Sequence, residues 1–394
     1  MRKIDVYKEY CTGCGLCHSV LNISFSENTK GFMYPDLKEE NLEFCEKFCP
    51  ACSYYDTMES QYTMWGKISK TYIGWALDDA IRYSASSGGV LTAVCCYLLN
   101  EGIVDGIIQT AVGKGAPYST KTVISRTSDD VLKCMGSRYS NSSPLFDLEQ
   151  IVKKNEKYAF VGKPCDVQSL KLYLKNNVEL ASQIECCLSF FCAGVPSNVA
   201  QKSLLKRLGC EDVMSCTHLD YRGNGWPDFA TAYKSDGSSQ RISYDESWGG
   251  ILGRDIRKSC RFCIDGIGDY ADIVCADAWH TQADGMPDFE EHSGRNAIFS
   301  RSQVGDQIIC GAFEKGCIYI QRDDYYFNNF ARVQRFQNER RGAMLAMLLA
   351  MKLFRKNIPL YNINKLVKLS RNVCLKIKIK RFIGTVKRIM GGKI

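Results

Sequence analysis

Cysteines at positions 11, 14 and 17 form a C-x2-C-x2-C run in the stretch EYCTGCGLCHSV, and Cys45-x3-Cys49-Pro50 follows further along. Thiols at that pitch call for a bound group that takes several sulfurs at once. The chain carries 21 cysteines in 394 residues, an odd number, and opens on MRKIDVYKEYC with no apolar stretch of the kind that directs secretion. An extracellular disulfide framework is therefore disfavoured. A cytoplasmic chain whose clustered cysteines are metal ligands or redox thiols is expected instead. Other cysteines, the adjacent pairs Cys95-Cys96 and Cys186-Cys187 among them, are expected to be inert core residues.

In ferredoxins the full unit is C-x2-C-x2-C-x3-C-P, used twice, and the fourth cysteine of each unit ligates the cluster of the other. That crossing assigns a first cluster to Cys11, Cys14, Cys17 and Cys49, all present. A second cluster would draw on positions 21, 39, 42 and 45, which hold Leu21, Glu39, Leu42 and Cys45, so three of its four ligands are missing. Residues 1–62 are thus expected to form a small ferredoxin-like α+β domain with one 4Fe-4S cluster, Cys45 and Cys52 being bystanders. Gly13 and Gly15 let the loop wrap so that backbone N–H groups can approach the sulfides of the cluster. The alternative is a zinc knuckle, which four thiolates also satisfy, although zinc ligands usually come as two C-x2-4-C clips.

Between residues 70 and 335 short apolar runs alternate with helical stretches. VDGIIQTAV, YAFVGKP, IECCLSFFCAG and ADIVCADAW read as strands, and SGGVLTAVCCYLLNEG as a buried helix stopped at Gly102. An α/β core follows, divided as 70–180 and 181–335. FVGKPCDVQSLK sets Cys165 between a strand and a helix, FFCAGVPS does the same for Cys192, and SCRFCID supplies Cys260 and Cys263. Ligands of open α/β sheets gather at the carboxyl ends of strands, so four thiols delivered there could hold a second cubane. Taken singly, Cys192 reads equally well as core and the C-x2-C pair as zinc or chance. Hydroxyls and glycines at the helix start in SASSGGVLTA suit a pyrophosphate, or else an ordinary serine-capped helix.

No G-x-G-x-x-G follows a strand, since GNGWPD has Asp228 where the third glycine belongs, and neither a Walker A motif nor H-E-x-x-H occurs. His18, His218, His280 and His292 show no ligand spacing; His280, beside Trp279, reads as a solvated loop residue or a substrate contact. Residues 340–394 carry 15 Lys or Arg and no acid, so the formal net charge of +8 belongs to this tail. Its basic residues alternate with Leu, Val, Ile and Phe. A basic amphipathic tail of helices is expected, lying on an anionic membrane surface or packed on the acidic body. Nucleic acid is disfavoured because aromatic interleaving is nearly absent. No apolar run is long enough for a transmembrane helix.

The motifs SASSGGVLTA (84–93), GSRYSNSS (136–143), FVGKPCDVQSL (160–170), FFCAGVPS (190–197), YRGNGWPDF (221–229), SCRFCID (259–265) and ADIVCADAW (271–279) occur in that order after the ferredoxin-type start. In them the chain resembles, over residues 1–335, the beta-subunit family of coenzyme F(420) hydrogenase/dehydrogenase, including bacterial members often associated with surface-polysaccharide gene clusters. The resemblance implies FAD and a 4Fe-4S cluster in the core, with electrons passing between the cluster and a hydride carrier at the flavin. It implies Cys165, Cys192, Cys260 and Cys263 as ligands of that second cluster. It also implies Ser86, Ser87, Gly88 and Gly89 as a phosphate-facing helix start, with Arg138 and Tyr139 near the flavin.

Departures from the family pattern bear on the hydride partner, because polar groups lining such a pocket set specificity. Lys163 and Asp166 flank Cys165 where threonine and glutamine are usual, Ala193 stands for a frequent histidine, and Ala276 for the glycine of Gly-Asp-x-Trp, of which Asp277 and Trp279 remain. The expected function is a cytoplasmic iron-sulfur flavoprotein oxidoreductase, served by a ferredoxin-like electron partner and acting on a small-molecule substrate or deazaflavin. A non-enzymatic electron-transfer or scaffold subunit, peripheral at the inner membrane face, is the alternative.

Overall fold

The computed structural model describes residues 2–51, 63–282, 287–288, 290–392 and 394, so Cys52 lies outside the described residues. Among these residues, strands Lys70–Ala76 (β1), Gly106–Val112 (β2), Thr120–Ser125 (β3), Tyr158–Val161 (β4), Ile184–Phe190 (β5), Ile273–Asp277 (β6), Asn296–Ser300 (β7) and Ile318–Gln321 (β8) form an eight-stranded sheet. The order is β8-β1-β7-β6-β5-β4-β2-β3. Its middle four strands, β6, β5, β4 and β2, run parallel, while β3 on one side and β7, β1 and β8 on the other pair antiparallel. The four runs read as strands are these parallel ones.

Parallel strands are covered on both faces and need apolar residues at every position. Tyr158, Ala159 and Phe160 of β4 are accordingly all 0% exposed. Side chains alternate along a strand, so Cys186 and Cys187 of β5 enter different core clusters, one on each face. These are packing thiols, as are Cys95 and Cys96 on the helix Val90–Asn100 (α1), which ends just before Gly102.

A three-stranded antiparallel sheet, Cys216–Asp220, Phe229–Lys234 and Ser239–Ser243, was not foreseen. The amino-terminal stretch contributes three short helices, Lys3–Glu9, Leu16–Leu21 and Leu42–Phe48, and a strand pair, Phe25–Glu27 with Met33–Pro35.

The basic tail folds back on this stretch as helices Arg335–Gly342 (α2), Met344–Leu353 (α3), Ile363–Ser370 (α4) and Leu375–Met390 (α5). Met344, Met347 and Met351 share a buried cluster with Ile4, Tyr7, Tyr10 and Phe262. At about 1.5–3 kcal/mol for each large apolar side chain removed from water, this contact fastens tail, amino terminus and core together. Leu375, Ile379 and Ile383 on α5 stay exposed. No described helix is long and apolar enough to cross a membrane.

Candidate functional site: two adjoining cavities at the strand ends

Two parallel strands and a short helix bring the predicted thiols to one place. Beyond β4 the chain turns at Lys163 into the helix Pro164–Leu174, whose proline lies in the first turn, where no N–H partner is needed. The Asp166 carboxylate accepts from the Lys163 backbone N–H at 3.1 Å and closes that turn, leaving Cys165 at the helix start. Cys192 follows β5, and Cys260 and Cys263 come from the short helix Lys258–Arg261 and the residues after it.

Cys165, Cys192, Cys260 and Cys263 line a single cavity of about 40 Å³. Burial pushes the Cys192 thiol up to about 12 and the Cys263 thiol up to about 11, each partly offset by Arg340. Val195 N–H donates to Cys260 Sγ at 3.4 Å. Arg340 donates to the carbonyls of Cys192 (3.0 Å), Ala193 (3.3 Å) and Cys260 (3.3 Å), so a tail residue braces the loops that carry the thiols. Among the described residues, no three His, Cys, Asp or Glu side chains close on a point suited to a single metal ion. The four sulfurs surround a space instead, with two buried cations, Lys163 and Arg340, beside it.

The amino-terminal thiols lie against the same wall. Cys11, Cys14 and Cys45 are buried, and Cys17 and Cys49 half-buried. Gly13, at φ +78°, donates its N–H to Cys11 Sγ at 3.3 Å. Gly15, at φ +94°, has no room for a Cβ, which would stand 2.8 Å from the Phe146 backbone. Cys14 Sγ lies 3.6 Å from Ser169 Oγ, which donates to the Phe48 carbonyl at 3.1 Å and so ties Cys14 to the residue before Cys49. Cys17 feels the charges of Cys14, Cys11 and also Cys45, so the expected bystander shares the neighbourhood. Thr12, Pro50 and Ala51 line the four-thiol cavity, and Ser259 Oγ donates to the Cys11 carbonyl at 3.0 Å. The two thiol groups are therefore neighbours.

A second cavity of about 790 Å³ opens on the other side of Cys192; Lys163, Cys192, Gly194 and Val195 line both. Ser86, Ser87, Gly89, Arg138 and Tyr139 line this larger space. Gly88 does not. A Cβ there would stand 2.8 Å from Arg295 Cα, so its small size serves backbone packing rather than a ligand. The helix start is also partly engaged already: Val90 N–H donates to Asn296 Oδ1 at 3.2 Å and Ser87 Oγ to the Arg295 carbonyl at 2.9 Å.

Aromatic rings and one buried ion pair build the opposite wall. Arg222, 5% exposed, donates to both Asp277 oxygens at 3.1 Å, and its guanidinium lies 4.9 Å from the Tyr244 ring centre. Trp226 stacks on Trp279 at 4.7 Å and donates through Nε1 to Asp277 at 3.2 Å; Tyr139 meets Trp248 at 4.7 Å. Asp277 thus fixes a cation and an indole at once. Asp277→Ala strands a buried guanidinium and is expected to lower stability by about 3–5 kcal/mol, read as a reduced urea midpoint. Asp277→Asn, which keeps the shape and one acceptor, is expected to cost less.

On the thiol side, Lys163 Nζ lies 2.7 Å from both Asp166 Oδ2 and Ser142 Oγ. Burial opposes its charge, but Asp166 and the nearby thiols outweigh this and hold its pKa above the usual lysine value. The substitutions noted around Cys165 therefore make a buried ion pair between the two cavities.

Sequence reasoning missed Arg222, Tyr244, Trp248 and Arg340. Only Arg222 and its neighbours carried a signal, inside YRGNGWPDF. His280 and His292, without ligand spacing along the chain, have ring centres 4.4 Å apart, and His292 Nε2 lies 2.9 Å from Asp288. Burial, followed by Arg295 and His292, lowers the His280 pKa to about 4.

Residues 71–149 match the family model for the amino-terminal part of the coenzyme F(420) hydrogenase/dehydrogenase beta subunit, and residues 155–324 match the model for its carboxyl-terminal part. The chain is 26% identical to the coenzyme F(420) hydrogenase subunit beta of Methanosarcina barkeri over 61% of its own length and 77% of that protein's. It is 24% identical to the coenzyme F(420) hydrogenase subunit beta of Methanothermobacter thermautotrophicus over 61% and 79%. A coenzyme F(420)-dependent sulfite reductase of Methanocaldococcus jannaschii shares 23% identity over 76% of this chain and 45% of that protein. In fold, the chain resembles one in the F(420)-reducing NiFe hydrogenase complex of Methanosarcina barkeri, with a TM-score of 0.57 and 22% identity over 77% of this chain and 98% of that one. With both halves of the core matched in order around the thiol and aromatic cavities, the chain belongs to the coenzyme F(420) hydrogenase/dehydrogenase beta-subunit family.

Proposed function

We propose that this member of an oxidoreductase-subunit family is an iron-sulfur flavoprotein that relays electrons between two 4Fe-4S clusters and FAD. The observation that carries the reading is the shared wall: Cys192 and Lys163 line both the four-thiol cavity and the large aromatic one. Cys165, Cys192, Cys260 and Cys263 would hold one cluster, Cys11, Cys14, Cys17 and Cys49 the other, and the aromatic cavity the flavin. When bound, such clusters would exchange electrons one at a time, and a flavin would combine two of them with a proton into one hydride.

The chain's own residues support this in three ways. Arg340 and Lys163 place positive charge beside Cys192, partly offsetting the burial that raises its pKa, as a thiolate ligand requires. The Arg222–Asp277 pair sits against the Tyr244 and Trp279 rings, whose faces give the cavity an aromatic wall of the kind a tricyclic ring packs on. Ser86 and Arg138 supply polar groups to the lining of the same space. The electron partner is a ferredoxin-like protein reaching the amino-terminal thiols, and the hydride partner is deazaflavin or another small molecule. A surface-polysaccharide precursor is one such molecule the resemblance offers.

Protein purified without oxygen is expected to carry about eight irons and as many sulfides, with one FAD, per chain. Iron and sulfide without FAD would turn the reading into an electron-transfer subunit with no substrate of its own. Zinc without sulfide would overturn it altogether.

A further inference from the structure

One wall of the large cavity is made by residues beyond the matched family range, which ends at 324. Gln334, Phe336 and Gln337 come from α2 and the residue before it, and Lys380 and Arg381 from α5. Two contacts bring α5 there. It packs along α3, and Arg381 pairs with Glu339 at 3.1 Å. Glu339 is 5% exposed in its side chain, is also held by Arg335 at 2.6 Å, and feels Lys380. Three cations thus share one carboxylate.

The rest of the cavity does not restore the balance. Its described lining holds six Lys or Arg against four Asp or Glu, and Asp277 and Asp166 are already committed to Arg222 and Lys163. Arg381 Nε is buried with no hydrogen-bond partner, and so is Nε of Arg138, which lines the same space. Neither guanidinium is therefore fully satisfied by the protein, which leaves this side of the cavity with uncompensated positive charge. Lysine as a mobile point charge beside a planar arginine fork is an arrangement that suits oxyanions. If the pair served only to fasten the tail, the Arg381–Glu339 bridge would suffice, and Lys380 would have no reason to border the cavity.

We infer that Lys380 and Arg381 form an oxyanion subsite at the rim of the large cavity, taking a phosphate or carboxylate group of the substrate, so that the tail completes the substrate site. The substrate's hydride chemistry rests on the flavoprotein reading; the anion site does not.

The test is calorimetric titration of the anaerobically purified full chain with inorganic pyrophosphate and, separately, with citrate; whichever binds more tightly names the oxyanion. Lys380→Gln and Arg381→Gln are each expected to weaken that binding about tenfold, Lys380→Arg to restore it, and iron and FAD contents to stay at wild-type levels. The Lys380 side chain is exposed, so its variants fold even if loss of the Glu339 bridge unsettles Arg381→Gln. Binding of neither anion by the wild type, or equal binding by Lys380→Gln, overturns the subsite. Absence of FAD from the preparation would count against the flavoprotein reading alone, because the difference between wild type and Lys380→Gln is read in either case.

Discussion

Cys192→Ser is expected to halve the iron content, to about four per chain, and to leave one cluster signal in the electron paramagnetic resonance spectrum of reduced protein. Cys192 alone among the four core thiols lines both the four-thiol cavity and the aromatic cavity. Serine keeps the volume but offers a hard oxygen in place of the soft sulfur that iron-sulfur clusters select. Because the remaining signal would belong to the amino-terminal set, electron delivery from a one-electron donor to bound flavin should fall with the lost cluster. The controls are Cys186→Ser and Cys187→Ser. Both residues lie close to Cys192 in sequence, yet they are 0% exposed within packed cores. Their serine forms should keep the full iron content and lose only about 1–3 kcal/mol for a buried hydroxyl. Full iron in Cys192→Ser, or equal loss in the three variants, would remove the core cluster from the proposal.

What the sequence disclosed follows from what is local. Strands buried on both faces must be apolar at successive positions, and so β2, β4, β5 and β6 could be recognised one by one; their shared direction then carried Cys165 and Cys192 to the same end of the sheet. Pairings between distant segments left no such trace. Arg222 and Asp277 are 55 residues apart, and each alone is an ordinary charged residue. Gly88 shows a different limit. A serine-glycine stretch before a helix looks the same whether the glycine admits a phosphate or a neighbouring backbone, and here Arg295 and Asn296, over 200 residues away, decide for the backbone at that position. The tail was read by charge and periodicity, which define its faces but not what covers them. Its buried side covers the amino-terminal unit through Met347 and Met351, and Lys380 and Arg381 reach the large cavity.

Cys45 and Cys49 pose the sharpest question, since they lie one helical turn apart on Leu42–Phe48 and its carboxyl end. Electrostatically, Cys45 lies near Cys11, Cys14 and Cys17, and burial pushes its thiol up to about 12. That proximity alone would make it the fourth ligand. Three features favour Cys49. Its backbone is extended, at φ −87° and ψ 122°, whereas Cys45 is fixed inside the helix. Ser169 links Cys14 to the Phe48 carbonyl just before it, and Pro50 just after it lines the core thiol cavity. A ligand at Cys49 thus sits where the two thiol groups meet, while Cys45 is a fully buried member of the apolar cluster of Ile4, Tyr7 and Met347, against which Cys49 packs only in part. Cys49→Ser is therefore expected to lose about four irons and the amino-terminal signal. Cys45→Ser should keep both, at a cost of about 1–3 kcal/mol in stability from the buried hydroxyl. The opposite result would move the fourth ligand back by one turn, away from Pro50 and the core thiols, and would break the close succession of sites on which the proposed relay rests.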